Sequence, residues 1–174
     1  DVGGVQNAGA VAILFGSSAG LTAAGNELWH QDSGTASDQV ESGDRFGAAL
    51  ASGDFDDDGA DDLAVGVPGE DLPSLNNAGV VNVLYGGRNG LTDAGNQLWH
   101  QDSPSVSDEA GGDESFGFAL AAGDFDNDGF DDLAIGVPGE DLPQADGGNA
   151  SDGGAVNLLH GSVAGLAASR DEFW

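Results

Sequence analysis

The stretch GDFDDDGADDLAVGVPGEDLP, residues 53–73, decides the fold, because it joins a dense acidic segment directly to an apolar one. Six aspartates occupy the nine positions from Asp54 to Asp62. A nearly identical stretch, GDFDNDGFDDLAIGVPGEDLP, follows at residues 123–143. Because like charges at this density repel one another, a pattern that occurs twice indicates a structural role as well as a chemical one.

The repetition extends beyond this stretch and has a period of 70 residues. LWHQDS occurs at residues 28–33 and again at 98–103, and Phe46-Gly47 corresponds to Phe116-Gly117. After residue 143 the offset grows to 75, because the polar segment QADGGNASDGG contains five additional residues. We expect a lengthened surface loop there. An internal period of this length is typical of propellers and other repeat architectures.

Each repeat contains four strand-like pieces. They are apolar or alternating over five to seven residues and are bounded by Gly, Pro, Asp and Asn, as β-strands are. In the middle repeat they lie at residues 46–52, 62–68, 79–86 and 96–101. Alanine and glycine between the valines of the second piece indicate a strand crowded by neighbours, near a central axis. The sequence predicts an all-β chain of β-propeller blades, each with four antiparallel strands.

The strand count predicts about two and a half blades. Residues 1–29 correspond to the C-terminal half of a blade, whereas residues 30–99 and 100–174 each correspond to a complete blade. Propellers close with about four to eight blades, and an unclosed array exposes sheet edges. We therefore expect further blades from a longer chain or from self-association of this one, and an open array is the third alternative.

The composition excludes several classes of partner. Thirty-one acidic residues against three arginines and no lysine give a formal charge of −28. Such a surface repels nucleic acid and anionic membranes, so neither is an expected partner. No cysteine is present, which excludes disulfides and thiolate metal sites. No apolar run approaches the ~18 residues of a membrane helix, so membrane insertion is not expected.

The combined motifs resemble the FG-GAP repeat, the blade of integrin α-subunit propellers and of secreted bacterial integrin-like proteins. The FG motif is Phe46-Gly47 or Phe116-Gly117, and an acidic loop follows it. The GAP box reads Gly66-Val67-Pro68 and Gly136-Val137-Pro138, with valine in place of alanine. The resemblance covers the full chain. It implies a propeller that binds calcium and acts in adhesion, secreted or at the cell surface.

The acidic loops carry oxygen ligands at a spacing that suits Ca²⁺. Carboxylates stand at loop positions 1, 3, 5 and 9, and a backbone carbonyl is available at position 7. The predicted ligands are Asp54, Asp56, Asp58, Ala60 and Asp62 in the first loop, and Asp124, Asp126, Asp128, Phe130 and Asp132 in the second. Two calcium ions are therefore expected, and no other cofactor. Asp57, Asp61 and Asp131 stand at even positions and are predicted to point outward.

An EF-hand is excluded, because its loop requires glutamate at position 12, where this chain has Val65 and Ile135. Mg²⁺ suits the loops less well than Ca²⁺, because it demands stricter octahedral geometry. A plain acidic turn is also less favoured. Two carboxylates ~4 Å apart repel each other by about 4 kcal/mol at an effective dielectric of ~20, and several carboxylates converge here.

Residues with catalytic potential recur once per repeat, which favours structural roles. His30 corresponds to His100, Glu70 to Glu140, and Trp29 to Trp99 and Trp174. His160 aligns with Tyr85 and Phe15, so it is assigned to an aromatic position. No catalytic residue is predicted. The chain is expected to be an extracellular binding or adhesion module for a protein or glycan ligand. An accessory propeller of a larger secreted enzyme and a purely structural calcium-stabilised scaffold are the alternatives.

Overall fold

The computed structural model describes residues 1–33, 39–143 and 149–174. Every regular element in this part of the chain is a β-strand. In chain order the strands are β1 (Val11–Ser17), β2 (Gly20–Trp29), β3 (Ala49–Gly53), β4 (Asp62–Val67), β5 (Val80–Tyr85), β6 (Thr92–Trp99), β7 (Ala119–Gly123), β8 (Asp132–Val137), β9 (Leu142–Pro143), β10 (Asn149–Ala150), β11 (Ala155–His160) and β12 (Ala167–Phe173).

Two four-stranded antiparallel sheets form the body of the molecule. Their strand orders are β3-β4-β5-β6 and β7-β8-β11-β12, and β1 pairs with β2 in a separate hairpin. The two sheets use the same register, since Gly53 pairs with Asp62 and Gly123 pairs with Asp132. These sheets are β-propeller blades, and the prediction of an all-β chain with four-stranded units is confirmed.

Small residues allow the blades to approach each other closely. Strand β3 lies against β7, and both consist mainly of small residues, with the sequences ALASG and ALAAG. A Cβ atom at Gly66 would come within 2.1 Å of the carbonyl oxygen of Gly117, a distance that only glycine can accommodate. The alanine and glycine of β4 thus lie in a crowded position, as the sequence predicts.

The FG motif connects each blade to the preceding sheet. The backbone N–H of Phe46 donates to the Ala8 carbonyl at 2.7 Å, and the N–H of Phe116 donates to the Ala78 carbonyl at 2.8 Å. Both phenylalanine side chains are buried. Each connection therefore combines cross-blade backbone hydrogen bonds with burial of an aromatic ring, and both are repeated at the two junctions.

Two of the predicted strand boundaries in the middle repeat are wrong. The inner strand begins at Ala49 instead of residue 46, because Phe46 hydrogen-bonds to the preceding sheet and Gly47 turns the chain at a φ of 86°. The outer strand begins at Thr92, four residues before the predicted start. The lengthened segment after residue 143 is bracketed by the short β9–β10 pair, and its residues 144–148 lie outside the described residues.

The core lies within and between the blades. Its largest members include Phe55, Phe116, Leu133, Ile135 and Leu159, all fully buried. Trp99 packs against this cluster, whereas Trp174 is 74% exposed. No helix in the described residues is long and apolar enough to cross a membrane.

Candidate cation-binding loops

The first acidic loop joins β3 to β4 and gathers three carboxylates. Ligand oxygens of Asp54, Asp56 and Asp58 all lie within 4.8 Å of one another. The chain curls through left-handed backbone at Asp57, with φ of 55°, and at Gly59, with φ of 89°. Aspartate tolerates this region better than most side chains, and glycine enters it without steric cost. The alternation of these residues turns the odd-numbered carboxylates toward a common point.

Hydrogen bonds inside the loop hold these carboxylates in place. The Oδ1 and Oδ2 atoms of Asp54 accept from the N–H groups of Asp58 at 3.1 Å and Gly59 at 3.0 Å. The Oδ1 atom of Asp58 accepts from the N–H of Ala60 at 2.8 Å. These hydrogen bonds fix the loop backbone around the carboxylates, which lowers the entropic cost of binding a cation.

Asp62 anchors the end of this loop from inside the protein. It is 1% exposed, and its carboxylate accepts from the N–H of Phe55 at 2.9 Å and the N–H of Gly86 at 2.8 Å. Burial raises the pKa of Asp62 to about 6, and the neighbouring charges of Asp56 and Asp54 contribute to this increase. Burial also raises the pKa of Asp56. A cation would favour the ionised form of both groups.

The second loop, between β7 and β8, repeats this geometry. Ligand oxygens of Asp124, Asp126 and Asp128 lie within 4.8 Å of one another, and Asn127 and Gly129 have positive φ values of 60° and 100°. The carboxylate of Asp124 accepts from the N–H groups of Asp128 and Gly129, both at 3.1 Å. The equivalent residues of the first loop make the same hydrogen bonds.

Asp132 occupies the position of Asp62. It is fully buried and accepts from the N–H of Phe125 at 2.9 Å and the N–H of Gly161 at 3.0 Å. The N–H groups of Ala60 and Phe130 donate to Asp58 and Asp128, which places both residues on the loop wall. The structure thus brings together the carboxylates at positions 1, 3 and 5 of each loop. Metal ligation by these six carboxylates, by Asp62 and Asp132, and by the carbonyls of Ala60 and Phe130 stays a prediction.

Two residues near the second loop were not assigned to it from the sequence. The Nδ1 atom of His160, on β11, lies 3.3 Å from Asp132 Oδ1 and 3.5 Å from Asp126 Oδ2. The Nη2 atom of Arg170, on β12, lies 3.0 Å from Asp126 Oδ2 and 3.4 Å from Asp128 Oδ2. The sequence does distinguish these two residues, because each is basic at a position where the middle repeat has Tyr85 or Gly95.

Tyr85 makes different contacts beside the first loop. Its hydroxyl donates to Gln97 Oε1 at 2.7 Å and accepts from the N–H of Leu166 at 3.1 Å. Burial raises the pKa of Tyr85 to about 12, so the hydroxyl stays protonated. Tyr85 therefore links the middle blade to the next one, as an aromatic residue in a packing position.

The even-numbered aspartates do not all point outward. Asp57 and Asp61 are exposed, as predicted. Asp131 instead accepts a hydrogen bond from the N–H of Asp54 at 3.0 Å, while its own N–H donates to the Asp54 carbonyl. The prediction was wrong for Asp131 because its partner belongs to the neighbouring blade. This reciprocal pair ties the two acidic loops to each other.

The recurring glutamates, Glu70 and Glu140, are buried in the turn that follows the GxP box of each blade. Gln31 donates to Glu70, and Gln101 donates to Glu140 in the same way. Burial raises the pKa of Glu140 to about 7, with Asp108 and Glu114 nearby. The two pairs tie the start of each repeat to the turn after its GxP box.

Comparison with known proteins identifies the repeated unit. The family profile described as FG-GAP repeat matches residues 46–84 and 116–156. The chain carries FG-GAP repeats. Each match begins at the FG motif and runs through the acidic loop and the GxP box into the third strand of its blade. Both candidate cation-binding loops therefore lie inside recognised FG-GAP repeats.

Several curated proteins are similar to this FG-GAP chain. It is 41% identical over 102 residues to integrin alpha-PS5 of Drosophila melanogaster, covering 58% of the chain and 9% of that protein. It is 34% identical over 125 residues to phosphatidylinositol-glycan-specific phospholipase D of Rattus norvegicus, covering 72% and 14%. It is 32% identical over 126 residues to integrin alpha-3 of Cricetulus griseus, covering 70% and 11%. The chain thus spans a small part of each relative's length.

Proposed function

We propose that this FG-GAP chain is a calcium-binding propeller module of an extracellular binding or adhesion protein. The observation that carries the proposal is the pair of acidic loops, each of which holds three carboxylates within 4.8 Å of one another. The donors to these carboxylates are backbone N–H groups, joined in the second loop by the exposed guanidinium of Arg170, so most of the negative charge is left uncompensated. A hard divalent cation supplies the missing charge, and oxygen ligands in a flexible loop suit Ca²⁺.

Calcium bound in these loops would stabilise the blades. Each loop connects the inner strand of a blade to its second strand, and Asp131 and Asp54 bond the two loops together. Without a cation, the converging charges repel one another across the β3–β4 and β7–β8 connections. Binding free energy therefore adds to the free energy of unfolding, since the site does not exist in the unfolded chain.

The extracellular assignment rests on the relatives and on calcium availability. Two of the relatives described above are integrin alpha subunits. Loops of modest affinity, with dissociation constants of about 10⁻⁴–10⁻³ M, are occupied where calcium is millimolar, as it is outside cells. Binding of a protein or glycan would use the loops of the blades, because the sheets pack against each other.

Further blades are the proposed partners of the C-terminal blade. Its outer face carries a groove of about 320 Å³ lined by Phe118, Val156 and Trp174, all of them exposed. The matching face of the middle blade is covered by the Phe116 loop, and Val81 is buried in the same cluster as Phe116. Both FG loops of the chain already occupy such faces, so a third FG-GAP blade is the occupant that fits this one.

An accessory propeller of a larger enzyme is the second candidate function. The observation that favours it is the 34% identity to phosphatidylinositol-glycan-specific phospholipase D over 72% of this chain. Sequencing the complete gene separates the two candidates. A catalytic domain in the same polypeptide supports the enzyme, whereas transmembrane or further adhesion segments support the adhesion protein.

Native mass spectrometry in calcium-containing buffer tests the cation-binding proposal. We expect two calcium ions per chain and a higher melting temperature than in a strong chelator. Asp57→Asn gives this exposed even position the residue that the second loop has at Asn127; it serves as the control and should retain both ions. A mass without calcium, together with a melting temperature that chelation leaves unchanged, would overturn the proposal. The same spectrum reports whether copies of the chain assemble into a closed ring.

A further inference from the structure

His160 is a buried imidazole whose ring lacks the hydrogen bonds that such a group ordinarily makes. Its exposed fraction is 5%, and neither Nδ1 nor Nε2 has a hydrogen-bond partner. Nδ1 is directed at the second acidic loop, at 3.3 Å from Asp132 Oδ1 and 3.5 Å from Asp126 Oδ2. A buried polar atom without a partner is costly, so its orientation toward two carboxylates calls for a third participant.

The distances fit a shared metal ion better than a direct hydrogen bond. Hydrogen bonds between charged nitrogen and oxygen are about 2.7–2.9 Å long, shorter than either contact of His160. Ligand atoms about 2.0–2.1 Å from a tetrahedral Zn²⁺ lie about 3.3–3.4 Å from each other. Asp126, Asp132 and His160 also form a group whose ligand atoms all lie within 4.8 Å.

We propose that Asp126, Asp132 and His160 form a binding site for a transition metal such as Zn²⁺. The inference rests on the proposed cation-binding function of the acidic loops and names a second class of cation for one of them. Imidazole nitrogen is a ligand for zinc, copper and nickel, whereas calcium prefers oxygen alone. The carboxylate of Asp132 is oriented by the N–H groups of Phe125 and Gly161, as metal-binding carboxylates commonly are.

The first loop provides the contrast that localises this site. Tyr85 stands in the place of His160, and its hydroxyl is already engaged by Gln97 and Leu166. In the described part of the chain no nitrogen ligand joins Asp54, Asp56 and Asp58. The first loop is therefore an oxygen-only site. The second loop offers two overlapping ligand sets that share Asp126 and Asp132, so Ca²⁺ and Zn²⁺ should compete there.

Zinc binding is tested by calorimetric titration with ZnCl₂ and by ¹⁵N NMR of the histidine rings. We expect one Zn²⁺ per chain and a shift of the His160 Nδ1 resonance, with the resonances of His30 and His100 unchanged. His160→Tyr places the residue of the middle blade in this position, so it should fold while binding Zn²⁺ at least 10-fold more weakly. Asp126→Asn, at the exposed edge of the group, should weaken binding similarly.

The controls separate this inference from the proposed function. His100→Gln removes a different, partly buried imidazole and should leave zinc affinity unchanged. A Zn²⁺ affinity that His160→Tyr and Asp126→Asn leave unaltered, or a His160 resonance that zinc does not move, would overturn the inference. Calcium binding at the first loop is measured on the same samples. Its presence in the absence of a zinc response would leave the proposed function standing, whereas its absence would contradict that function separately.

Discussion

The two acidic loops share one frame, which consists of the carboxylates at positions 1, 3 and 5 and the buried aspartate at position 9. They differ in the neighbouring side chains that face this frame. Both place carboxylates at positions 1, 3 and 5, and both anchor a buried aspartate on two backbone N–H groups. Among the described residues, basic side chains contact the second loop alone, because His160 and Arg170 extend from β11 and β12 of the same blade. Repetition of the loop sequence thus reproduces geometry, while strands far along the chain decide local charge.

This difference has a direct electrostatic consequence. The first loop has no ion pair with a basic side chain in the described residues, so its carboxylates present their full charge to a cation. In the second loop the guanidinium of Arg170 lies 3.0 Å from Asp126. We expect the first loop to bind calcium more tightly than the second, since a bound cation in the second must share or displace Arg170.

The largest expected effect tests the shared frame. Asp132→Ala removes the acceptor for the N–H groups of Phe125 and Gly161, and Asp62→Ala removes the acceptor for Phe55 and Gly86. Each hydrogen bond to a charged group contributes about 1.5–3 kcal/mol, so either change should lower the free energy of unfolding by about 3–6 kcal/mol. Urea denaturation of the metal-free protein measures this loss.

The exposed Asp61 supplies the control for these two variants. Asp61→Ala should change the free energy of unfolding by no more than about 0.5 kcal/mol, as is usual for surface positions. If the losses of unfolding free energy caused by Asp62→Ala and Asp132→Ala differed by more than about 3 kcal/mol, the width of that expected range, the two loops would not be structurally equivalent.

Removal of a ligand separates the two loops in binding. Asp56→Ala should abolish the first calcium site and Asp126→Ala the second, each leaving the other site intact. We expect affinity at the altered loop to fall about 100-fold or more, because even outer-shell partners of a metal contribute 10–100-fold. Calcium titration followed by calorimetry counts the remaining sites. Loss of both sites in either single variant would show that the loops are coupled, which the Asp131–Asp54 contact makes physically conceivable.

The pH dependence of stability probes the first loop in its metal-free form. Asp62 has a pKa raised by burial from 3.8 to about 6 in the folded state. The folded protein therefore holds this proton more tightly than the unfolded chain, and the resulting stabilisation is fully present below pH 3.8. It is lost as the pH rises through the window from 3.8 to about 6, by about 2–3 kcal/mol.

Urea denaturation across this window, with and without Asp62→Asn, isolates that contribution from the general effect of the acidic surface. The difference in unfolding free energy between wild type and variant should decline as the pH rises from 4 to 6. A difference that stays constant with pH would contradict the raised pKa of Asp62. Asp61→Asn serves as the matched control and should show no such slope.

The frame of the site could be predicted from the sequence because its members are adjacent in the chain. Spacing alone placed Asp54, Asp56 and Asp58 at one point, and the alternation of apolar residues placed β4 directly after them. The FG and GxP spacing likewise predicted four-stranded blades. Local periodicity carries this information because hairpin loops are built from consecutive residues.

The surroundings of the site could not be predicted in the same way. His160 was assigned to an aromatic position from its alignment with Tyr85, which describes packing but not what a different side chain there would contact. Asp131 was expected to face solvent, yet its partner is the backbone of another blade. Phe46 was placed in a strand, whereas its N–H bonds across a blade junction. Each of these contacts joins residues far apart in sequence, and no local pattern encodes them.

The smallest expected effect bears most directly on the difference between the loops. Arg170→Gly gives the second loop the residue that the first has at Gly95 and should raise calcium affinity there by about 2–5-fold. The gain is small because the Arg170 side chain is 60% exposed, and exposed ion pairs contribute about 0–1 kcal/mol. It should shrink as salt is added, since screening already weakens the guanidinium. Calorimetric titration of the Asp56→Ala background, in which only the second site binds, measures this change without interference. An affinity that Arg170→Gly leaves unchanged at low salt would mean that His160 and the loop geometry, rather than the guanidinium, set the difference between the two sites.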